Sequence, residues 1–306
     1  MIQNWKKTGF FNLQPLTPDK QEYFSVPFAV FLRDDVFRVY YSPRDSKNRS
    51  FVSYADIDLL TMKVLTISER PVLTSGDLGS FDDSGVVLFQ ILNAGDKEYL
   101  YYSGWMLGVT VPFYFWIGLA ISNGNGEFVR YSKAPILPCH EYDPFLTGAP
   151  YVLYDSQVWK MWYISGTKWE IELNNPKHFY TLKYAESDDG INWTRNENIC
   201  LPYKNSFEYA IARPCVIKEN SIYKMWFSYR GSENAASYRI GYAESNDGLN
   251  WQRLDELVGL DVSENGWDSE MICYGHVFNH NKKRYMLYNG NGYGKSGIGL
   301  AVLENY

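Results

Sequence analysis

Tyr223-Lys224-Met225-Trp226-Phe227-Ser228 and, one loop later, Ile240-Gly241-Tyr242-Ala243 are the two segments that decide the fold. Segments of the same kind recur in pairs along the whole chain: an aromatic segment centred on one ring, then a segment that ends in alanine. A strand-only pattern that repeats roughly every 60 residues is typical of radially arranged sheets. We therefore predict an all-β fold, a five-bladed β-propeller with four-stranded antiparallel blades. The five central rings are Tyr41, Tyr102, Tyr163, Phe227 and Tyr288.

These repeats span the chain, so the sequence predicts one domain over residues 1–306, because no single blade can bury both faces of its own sheet. The fifth repeat ends just after its third strand. The N-terminal string Asn4-Trp5-Lys6-Lys7 has the shape of Asn192-Trp193-Thr194-Arg195 and Asn250-Trp251-Gln252-Arg253, which begin fourth strands. We therefore predict that the N-terminal strand completes the last blade and closes the ring, which removes a sheet edge.

Two near-identical strings follow the third strands of repeats three and four: Ser187-Asp188-Asp189-Gly190-Ile191-Asn192-Trp193 and Ser245-Asn246-Asp247-Gly248-Leu249-Asn250-Trp251. An Asp-Gly pair between strands is a strong signal for a tight turn, because glycine adopts the positive φ angle that the turn needs. Turn chemistry alone explains both strings, so we predict that they and their tryptophans are structural.

The bulk composition argues against several classes of protein. The net charge is −6 and no run of Lys or Arg stands out, which argues against nucleic acid as a partner. No stretch approaches the roughly 18 apolar residues of a membrane span, and no apolar region follows the first charges, so we predict a cytoplasmic protein without a signal peptide. The four cysteines are scattered without metal-binding spacing, so no cofactor is predicted. The sequence does not predict an oligomeric state.

Polar and aromatic residues mark the predicted site. In a propeller, the loops that begin the innermost strands and the loops that follow the second strands converge on one face. Carboxylates hydrogen-bond hydroxyl groups and transfer protons, and rings stack on the apolar faces of sugars, so this face predicts a carbohydrate site. Each acid could equally be a solvated loop charge or the partner of a buried arginine. The first set of loops supplies Asp82, Asp83, Asp143, Glu208, Arg213, Asp268 and Glu270, and the second supplies Arg44, Trp105, Trp169 and Arg230.

The chain resembles the five-bladed propeller glycosidases: glycoside hydrolase families 43, 32 and 68, and the mannoside phosphorylases of family 130. The resemblance covers all five repeats and rests on the two segments quoted first, while the string Gly266-Trp267-Asp268-Ser269-Glu270 is closest to members from polysaccharide clusters. It implies an enzyme that cleaves or transfers a glycosidic bond with paired carboxylates. The alternatives are a glycosyltransferase or phosphorylase of surface-polysaccharide synthesis, and a non-catalytic sugar-binding propeller.

Within this resemblance, we predict catalytic roles for Glu208, as the general acid, and for Asp83 and Asp143. The first repeat departs from the family pattern, because Phe24-Ser25-Val26-Pro27 stands where hydrolases of families 43 and 32 carry an aspartate beside a proline. This puts simple hydrolysis in doubt, unless Asp82 or Asp83 replaces the missing acid. The predicted ligand is a carbohydrate or sugar nucleotide, and arginines suit an anionic one. The predicted binding residues are Arg44, Trp105, Trp169, Arg213, Arg230, Asp268, Glu270 and His276.

His276 lies in the innermost strand of repeat five. Some family-43 enzymes hold a cation on the axis with such a histidine, so the resemblance leaves room for an axial cation such as calcium. A lone histidine supplies only one ligand, and a hydrogen-bonded core histidine is the alternative.

Overall fold

The computed structural model describes residues 1–11, 13, 22–124, 126–231 and 237–304. Almost all of its regular structure is strand, with one turn of 3-10 helix at Asp255–Leu257 and one short helix, α1, at Asn291–Gly294. The strands are β1 (Trp5–Phe11), β2 (Glu22–Arg33), β3 (Val36–Arg44), β4 (Ser53–Asp58), β5 (Lys63–Ile67), β6 (Gly85–Ala94), β7 (Lys97–Leu107), β8 (Phe113–Ser122), β9 (Val129–Arg130), β10 (Thr147–Asp155), β11 (Val158–Glu172), β12 (Asn175–Ser187), β13 (Thr194–Leu201), β14 (Ala210–Glu219), β15 (Ile222–Arg230), β16 (Arg239–Ser245), β17 (Gln252–Arg253), β18 (Cys273–His280), β19 (Lys283–Asn289) and β20 (Ile298–Leu303).

The strands pair antiparallel within each repeat. Three separate four-stranded sheets have the orders β2-β3-β4-β5, β6-β7-β8-β9 and β1-β20-β19-β18. Repeats three and four have the orders β10-β11-β12-β13 and β14-β15-β16-β17, and one parallel pair, Tyr180 with Ala210, links β12 to β14. The prediction of an all-β fold built from four-stranded antiparallel sheets is therefore confirmed.

The described chain forms two compact units. Unit 1 contains Met1–Val72, Cys215–Ser228 and Ser237–Tyr306, and unit 2 contains Leu73–Pro214 and Tyr229–Ala236. The single-domain assignment stays a prediction. No helix among the described residues is long and apolar enough to cross a membrane.

In unit 1, the N-terminal strand β1 pairs antiparallel with β20, from Trp5 opposite Leu303 to Phe11 opposite Ile298. The predicted position of this strand is confirmed. Gln3 fixes it further, because its Oε1 accepts hydrogen bonds from Nε1 of Trp5 at 2.9 Å and of Trp226 at 3.0 Å. The two indoles meet edge to face with their centroids 6.4 Å apart.

The central ring of each second strand is buried, as the sequence predicts. In three repeats a buried aspartate, 20 residues before a tyrosine, binds the tyrosine hydroxyl and a cation from the outer strand; we call this arrangement the tyrosine clasp. In repeat three, Oδ2 of Asp143 accepts from the Tyr163 hydroxyl at 3.0 Å and from Arg195 at 3.1 Å. The Lys183 ammonium lies 3.5 Å from the other carboxylate oxygen. Burial, with this carboxylate, raises the pKa of Tyr163.

The same clasp forms in repeats two and five. Asp82 accepts from Tyr102 at 3.2 Å and from Arg130 at 2.7 Å. Asp268 accepts from Tyr288 at 3.0 Å and from Lys7 at 2.7 Å. Since Lys7 lies on β1, the N-terminal strand supplies the cation that β9 and β13 supply in their own sheets. The clasp is therefore one of the contacts that hold the outer strand in these three sheets.

Repeat four lacks this clasp because its central ring, Phe227, has no hydroxyl group. The outer-strand cation is still present: the Arg253 guanidinium lies 5.1 Å from the centre of the Phe227 ring. Its acidic partner comes from further along the chain, since Arg253 donates to Asp255 Oδ2 at 2.6 Å. The position 20 residues before Phe227 is Phe207 rather than an aspartate.

A second repeated contact shapes the starts of the innermost strands. There the chain turns through a left-handed residue, whose N–H donates to a serine or asparagine at the end of a neighbouring second strand. Such residues are costly unless the surroundings hold them. The pairs are Val26 (φ 57°) with Asn289 at 2.8 Å, Ala149 (φ 46°) with Ser103 at 3.0 Å, and Tyr274 (φ 58°) with Ser228 at 2.8 Å.

Both Asp-Gly strings form the predicted tight turns, with Gly190 at φ 74° and Gly248 at φ 80°. Oδ1 of Asp189 accepts the N–H groups of Ile191 and Asn192, both at 2.8 Å. Burial alone would raise the pKa of Asp189, but these N–H donors and the neighbouring side chains lower it to about 2. The second string repeats each of these hydrogen bonds around Asp247.

The tryptophans that end these strings are only half-buried. Trp193 packs against the core of unit 2 and meets Tyr101 edge to face. Trp251 donates from Nε1 to the Gly248 carbonyl at 2.9 Å. Both positions agree with the structural role that the sequence predicts.

We expect Asp143→Asn to destabilise the protein by about 3–5 kcal/mol, because the change leaves two buried cations without their carboxylate. Equilibrium unfolding in urea would measure the loss. Glu141→Gln is the matched control, since Glu141 is exposed two residues away. A loss below about 1 kcal/mol, the level of an exposed ion pair, would show that the clasp does not stabilise the fold.

We expect Asp189→Asn to lower stability at pH 7 by about 1 kcal/mol, as for the loss of a capping acid. The folded-state pKa of about 2 lies below the ordinary value of 3.8, so the stabilisation is complete above pH 4 and is lost as the pH falls toward 2. Wild type and variant should therefore converge in thermal unfolding at low pH. Asp188→Asn, at the exposed neighbour, should change nothing; a difference that persists at pH 2 would contradict this account.

Candidate functional site

Glu208 lies in the loop between β13 and β14 of unit 2, and its side chain is buried, with 3% of its surface exposed. Oδ1 of Asn205 accepts the N–H groups of Phe207 at 2.9 Å and Glu208 at 3.2 Å, which shapes this loop as a tight side-chain turn. Oε2 of Glu208 accepts the N–H of Lys204 at 2.8 Å. The loop itself therefore holds one oxygen of this carboxyl group in place.

Tyrosines and an arginine surround the same loop. The Tyr203 hydroxyl donates to the Tyr209 carbonyl at 3.2 Å. Burial raises the pKa of Tyr203, and the charge of Glu208 raises it further, so the two groups are close neighbours. Arg230 donates from Nε to the Tyr209 hydroxyl at 2.5 Å, and its guanidinium lies 4.9 Å from the centre of that ring. The predicted binding residue Arg230 thus belongs to the surroundings of Glu208.

Half-buried rings on and beside the long β11–β12 hairpin extend this surface. We call Phe113, Trp169, His178, Phe179 and Tyr209 the hairpin platform. The centre of the His178 ring lies 5.4 Å from Phe113 and 5.6 Å from Trp169. Tyr209 joins the platform through its contact with Phe179, at 6.0 Å between ring centres. The predicted binding residue Trp169 therefore lies in one aromatic cluster with the neighbour of Glu208.

The sequence analysis did not single out His178, which lies on β12. Its ring stacks on Tyr180 at 5.0 Å with an interplanar angle of 3°. Burial, followed by the charges of Arg230 and Lys177, lowers the pKa of His178 to about 4. His178 is therefore neutral near pH 7, where it can accept or donate one hydrogen bond without adding charge. The unusual length of β11 and β12 was the signal that could have located it.

Asp83 is half-buried at the start of β6 in unit 2. Its carboxylate accepts from the Ser84 hydroxyl at 2.8 Å and from the Gly79 N–H at 3.1 Å, which ties its own loop together. Ser84 in turn donates its N–H to the carbonyl of Trp105, which is half-buried on β7. The contacts of the described residues do not link Asp83 with Glu208.

Three predicted acids lie in the tyrosine clasps. Asp82, Asp143 and Asp268 are buried, and each is shared between a hydroxyl and at least one cation. The catalytic role of Asp143 and the binding role of Asp268 stay predictions. The alternative that an acid partners a buried cation applies to all three.

Arg213 also lies in the interior rather than at a binding surface. It is the left-handed residue of β14, with φ 53°, and 0% of its surface is exposed. Its Nη1 donates to the Phe89 carbonyl at 2.8 Å, and its guanidinium lies 5.3 Å from the Phe89 ring. These contacts place Arg213 against Phe89, and its contact with substrate stays a prediction.

In unit 1, Arg44 lies at the end of β3 beside several tyrosines. Its Nη1 donates to the main-chain and side-chain oxygens of Asn48, both at 3.1 Å. The guanidinium lies 5.9 Å from the Tyr23 ring. Burial lowers the pKa of Arg44, while Tyr23 and Tyr274 act in the opposite direction. Arg44 is thus partly desolvated beside polar rings.

Glu270 lies in the segment that leads to β18, and its side chain is exposed. Its N–H donates to Oδ1 of Asn291 at 2.8 Å, and its carbonyl accepts from the Ser237 hydroxyl at 2.6 Å. The backbone of Glu270 is therefore fixed from two sides, and its carboxylate faces solvent.

His276 is buried among rings in unit 1, with Phe28 at 4.3 Å and Phe278 at 5.6 Å between ring centres. Its Nδ1 lies 3.9 Å from the Cys215 sulfur. The described residues contain no group of three His, Cys, Asp or Glu side chains that could hold a metal ion. These surroundings do not fit a calcium site, which needs several oxygen ligands. The contact of His276 with substrate stays a prediction.

Solved structures of low sequence identity share this fold. A glycoside hydrolase has 18% identity and a TM-score of 0.80, over 98% of this chain and 92% of its own. A thermostable family-43 glycoside hydrolase has 16% identity and a TM-score of 0.66, over 92% and 88%. The β-1,2-mannobiose phosphorylase of Listeria innocua has 10% identity and a TM-score of 0.71, over 98% and 96%. The predicted resemblance to the propeller glycosidases is confirmed at the level of fold.

No protein-family model matches the chain. Two proteins of Mycobacterium tuberculosis, MT1551 of strain CDC 1551 and Rv1502 of strain H37Rv, are 41% and 40% identical to it over 303 residues. Each alignment covers 98% of this chain and 99% of the relative. The chain therefore belongs to the family of MT1551 and Rv1502.

Proposed function

We propose that this protein is a carbohydrate-active enzyme that cleaves or transfers a glycosidic bond, with Glu208 as its general acid. The observation that carries the proposal is the position of Glu208. Its side chain is buried, its own loop holds one carboxylate oxygen, and the adjacent Tyr209 belongs to the hairpin platform. Asp82, Asp143 and Asp268 are engaged in the tyrosine clasps.

The chemistry of this neighbourhood suits a sugar. The half-buried rings of the hairpin platform offer apolar faces on which a pyranose can stack, and neutral His178 can hydrogen-bond a hydroxyl. In its protonated form, the Glu208 carboxyl group would donate its proton to the glycosidic oxygen of the leaving group. The glycoside hydrolases and the phosphorylase that share the fold support this class of reaction. The proposed ligand is accordingly a carbohydrate.

The position where hydrolases carry their second catalytic carboxylate differs in this chain. At the place where hydrolases of families 43 and 32 carry an aspartate beside a proline, Val26 is apolar and buried. We propose Asp83 as the second carboxylate, since it is half-exposed and outside the clasps.

The Val26 position also favours a second candidate function, phosphorolysis or glycosyl transfer, because an external phosphate or sugar then supplies the nucleophile. A sugar-binding protein without activity remains the alternative that activity assays test.

We further propose that the repeated sheets are the blades of a five-bladed propeller closed by β1. The pairing of β1 with β20 supports closure, as does the role of Lys7 in the clasp of the last repeat. A cytoplasmic location stays a prediction of the sequence.

We expect Glu208→Gln to lower kcat by about two to four orders of magnitude on substrates with poor leaving groups, because amide nitrogen cannot replace the acid proton. A screen of aryl glycosides, with and without inorganic phosphate and with sugar nucleotides, would first identify the donor. Activated leaving groups need no proton, so the loss should be smaller for dinitrophenyl than for methyl glycosides. Glu197→Gln, at an exposed residue of β13, is the control. Full activity of the Glu208 variant on a methyl glycoside would exclude it as the acid.

We expect Trp169→Ala to raise KM about tenfold, equivalent to about 1.4 kcal/mol of lost binding, while kcat changes little. The reason is that the hairpin platform loses one ring on which the sugar stacks, whereas the general acid Glu208 is retained. Tyr131→Ala removes an exposed ring elsewhere in unit 2 and is the control. Equal KM values for wild type and the Trp169 variant would place the sugar elsewhere.

A further inference from the structure

Unit 1 carries a second aromatic surface, made by Tyr238, Tyr274 and Tyr293, which we call the tyrosine platform. The rings of Tyr274 and Tyr293 are 6.4 Å apart with an interplanar angle of 27°. Tyr238 is buried behind them, 5.7 Å from Tyr274 and 6.2 Å from Tyr293, with its plane at 81° to the latter. The rings of Tyr274 and Tyr293 thus form one surface that packs on the buried Tyr238, and 38% of Tyr293 is exposed.

The tyrosines at and beside this surface have left-handed backbone conformations, which cost free energy. Tyr274 is left-handed like Val26 and Ala149, so its φ of 58° belongs to the shared start of the innermost strands. Tyr293 (φ 60°) and Tyr23 (φ 74°) have no such counterpart among the described repeats, and a bulky residue in this region costs about 1–3 kcal/mol. The Ser25 hydroxyl holds the Tyr293 backbone in place by donating a hydrogen bond to the Tyr293 carbonyl. Strain of this kind, at solvent-accessible rings, is typical of a binding site.

Positive charge lies beside this surface. The Arg44 guanidinium lies 5.9 Å from the Tyr23 ring, and Tyr23 is two residues from Ser25, whose hydroxyl donates to the Tyr293 carbonyl. The Lys295 ammonium lies 5.3 Å from the same ring. Such a neighbourhood opposes a cationic ligand, the usual occupant of a cage of aromatic rings, and favours an anion. Glu270, exposed at the adjoining segment, can accept hydrogen bonds from hydroxyl groups.

We propose that the tyrosine platform is a binding subsite for a sugar that carries a carboxylate, a hexuronic acid. Its apolar ring face stacks on Tyr274 and Tyr293, and its carboxylate meets the planar fork of Arg44, which matches carboxylate geometry. The inference rests on the proposed function only in taking the ligand to be a carbohydrate. A sugar phosphate shares the same chemistry, so the experiment separates the two anions.

The test uses the full chain carrying Glu208→Gln, so that binding is measured without turnover. Isothermal titration with galacturonic or glucuronic acid oligosaccharides is compared with the neutral galactose and glucose oligomers and with hexose 6-phosphates. We expect the uronic acids to bind at least tenfold more tightly than the neutral sugars, with the advantage falling as salt is added. Tighter binding of the phosphates than of the uronic acids, or equal binding of neutral and acidic sugars, would overturn the proposal.

Adding Arg44→Gln should remove the preference for the uronic acids, whereas Arg44→Lys should keep part of it. Arg49→Gln is the matched control, because Arg49 lies in the same loop but pairs with Asp45. Tyr293→Leu should weaken acidic and neutral sugars alike. An unchanged preference in the folded Arg44→Gln protein contradicts the inference.

Failure of this inference and failure of the proposed function are distinguishable. Turnover that depends on Glu208, without a preference for uronic acids, rejects the subsite alone. Uronic acid binding that depends on Arg44, without turnover of any donor, supports the subsite and rejects the enzyme.

Discussion

The buried tyrosine hydroxyl is the constraint on which this structure depends. Placing a ring at the centre of each second strand buries apolar area on both sides of the sheet, but the hydroxyl then needs a partner. In repeats two, three and five a carboxylate satisfies it, and the buried carboxylate in turn needs a cation. Arg130, Arg195 and Lys7 supply that charge from outer strands. In these three sheets the hydroxyl therefore favours a cation on the fourth strand, and Lys7 ties β1 to the last sheet.

This constraint also bears on the acids that the sequence analysis placed at the predicted site. Such an acid can serve a binding site or partner a buried cation, and in a repeat protein a structural contact recurs with the repeat. The signal that separates the two meanings is present in the sequence. Asp82, Asp143 and Asp268 each precede their tyrosine by 20 residues, and an outer-strand cation follows. Repeat four has Phe227 in place of the tyrosine, so Glu208 stands apart in the sequence as well as in the structure.

Much of the fold could be predicted from local signals. The Asp-Gly strings, the aromatic strands and the N-terminal Asn-Trp string each identify an element without knowledge of its neighbours. The site was predicted less well because its members depend on tertiary contacts. His178 is neutral and Arg213 is buried for reasons that lie in other segments. The left-handed tyrosines have no sequence signal, because tyrosine is not a residue that normally adopts positive φ.

The position of Val26 connects the fold with the choice of reaction. A left-handed residue at this point is held by Asn289, whose carboxamide also donates to the Phe24 and Gly297 carbonyls at 2.9 and 3.2 Å. The backbone at this position is therefore held in a fixed conformation, but the Val26 side chain has no carboxylate with which to activate water. A reaction at this protein therefore needs either another carboxylate or a nucleophile that arrives with the second substrate. Phosphate meets the second condition because it is already an anion, whereas water and sugar hydroxyl groups still need a base to remove a proton. Among the proposed reactions, the position of Val26 therefore favours phosphorolysis.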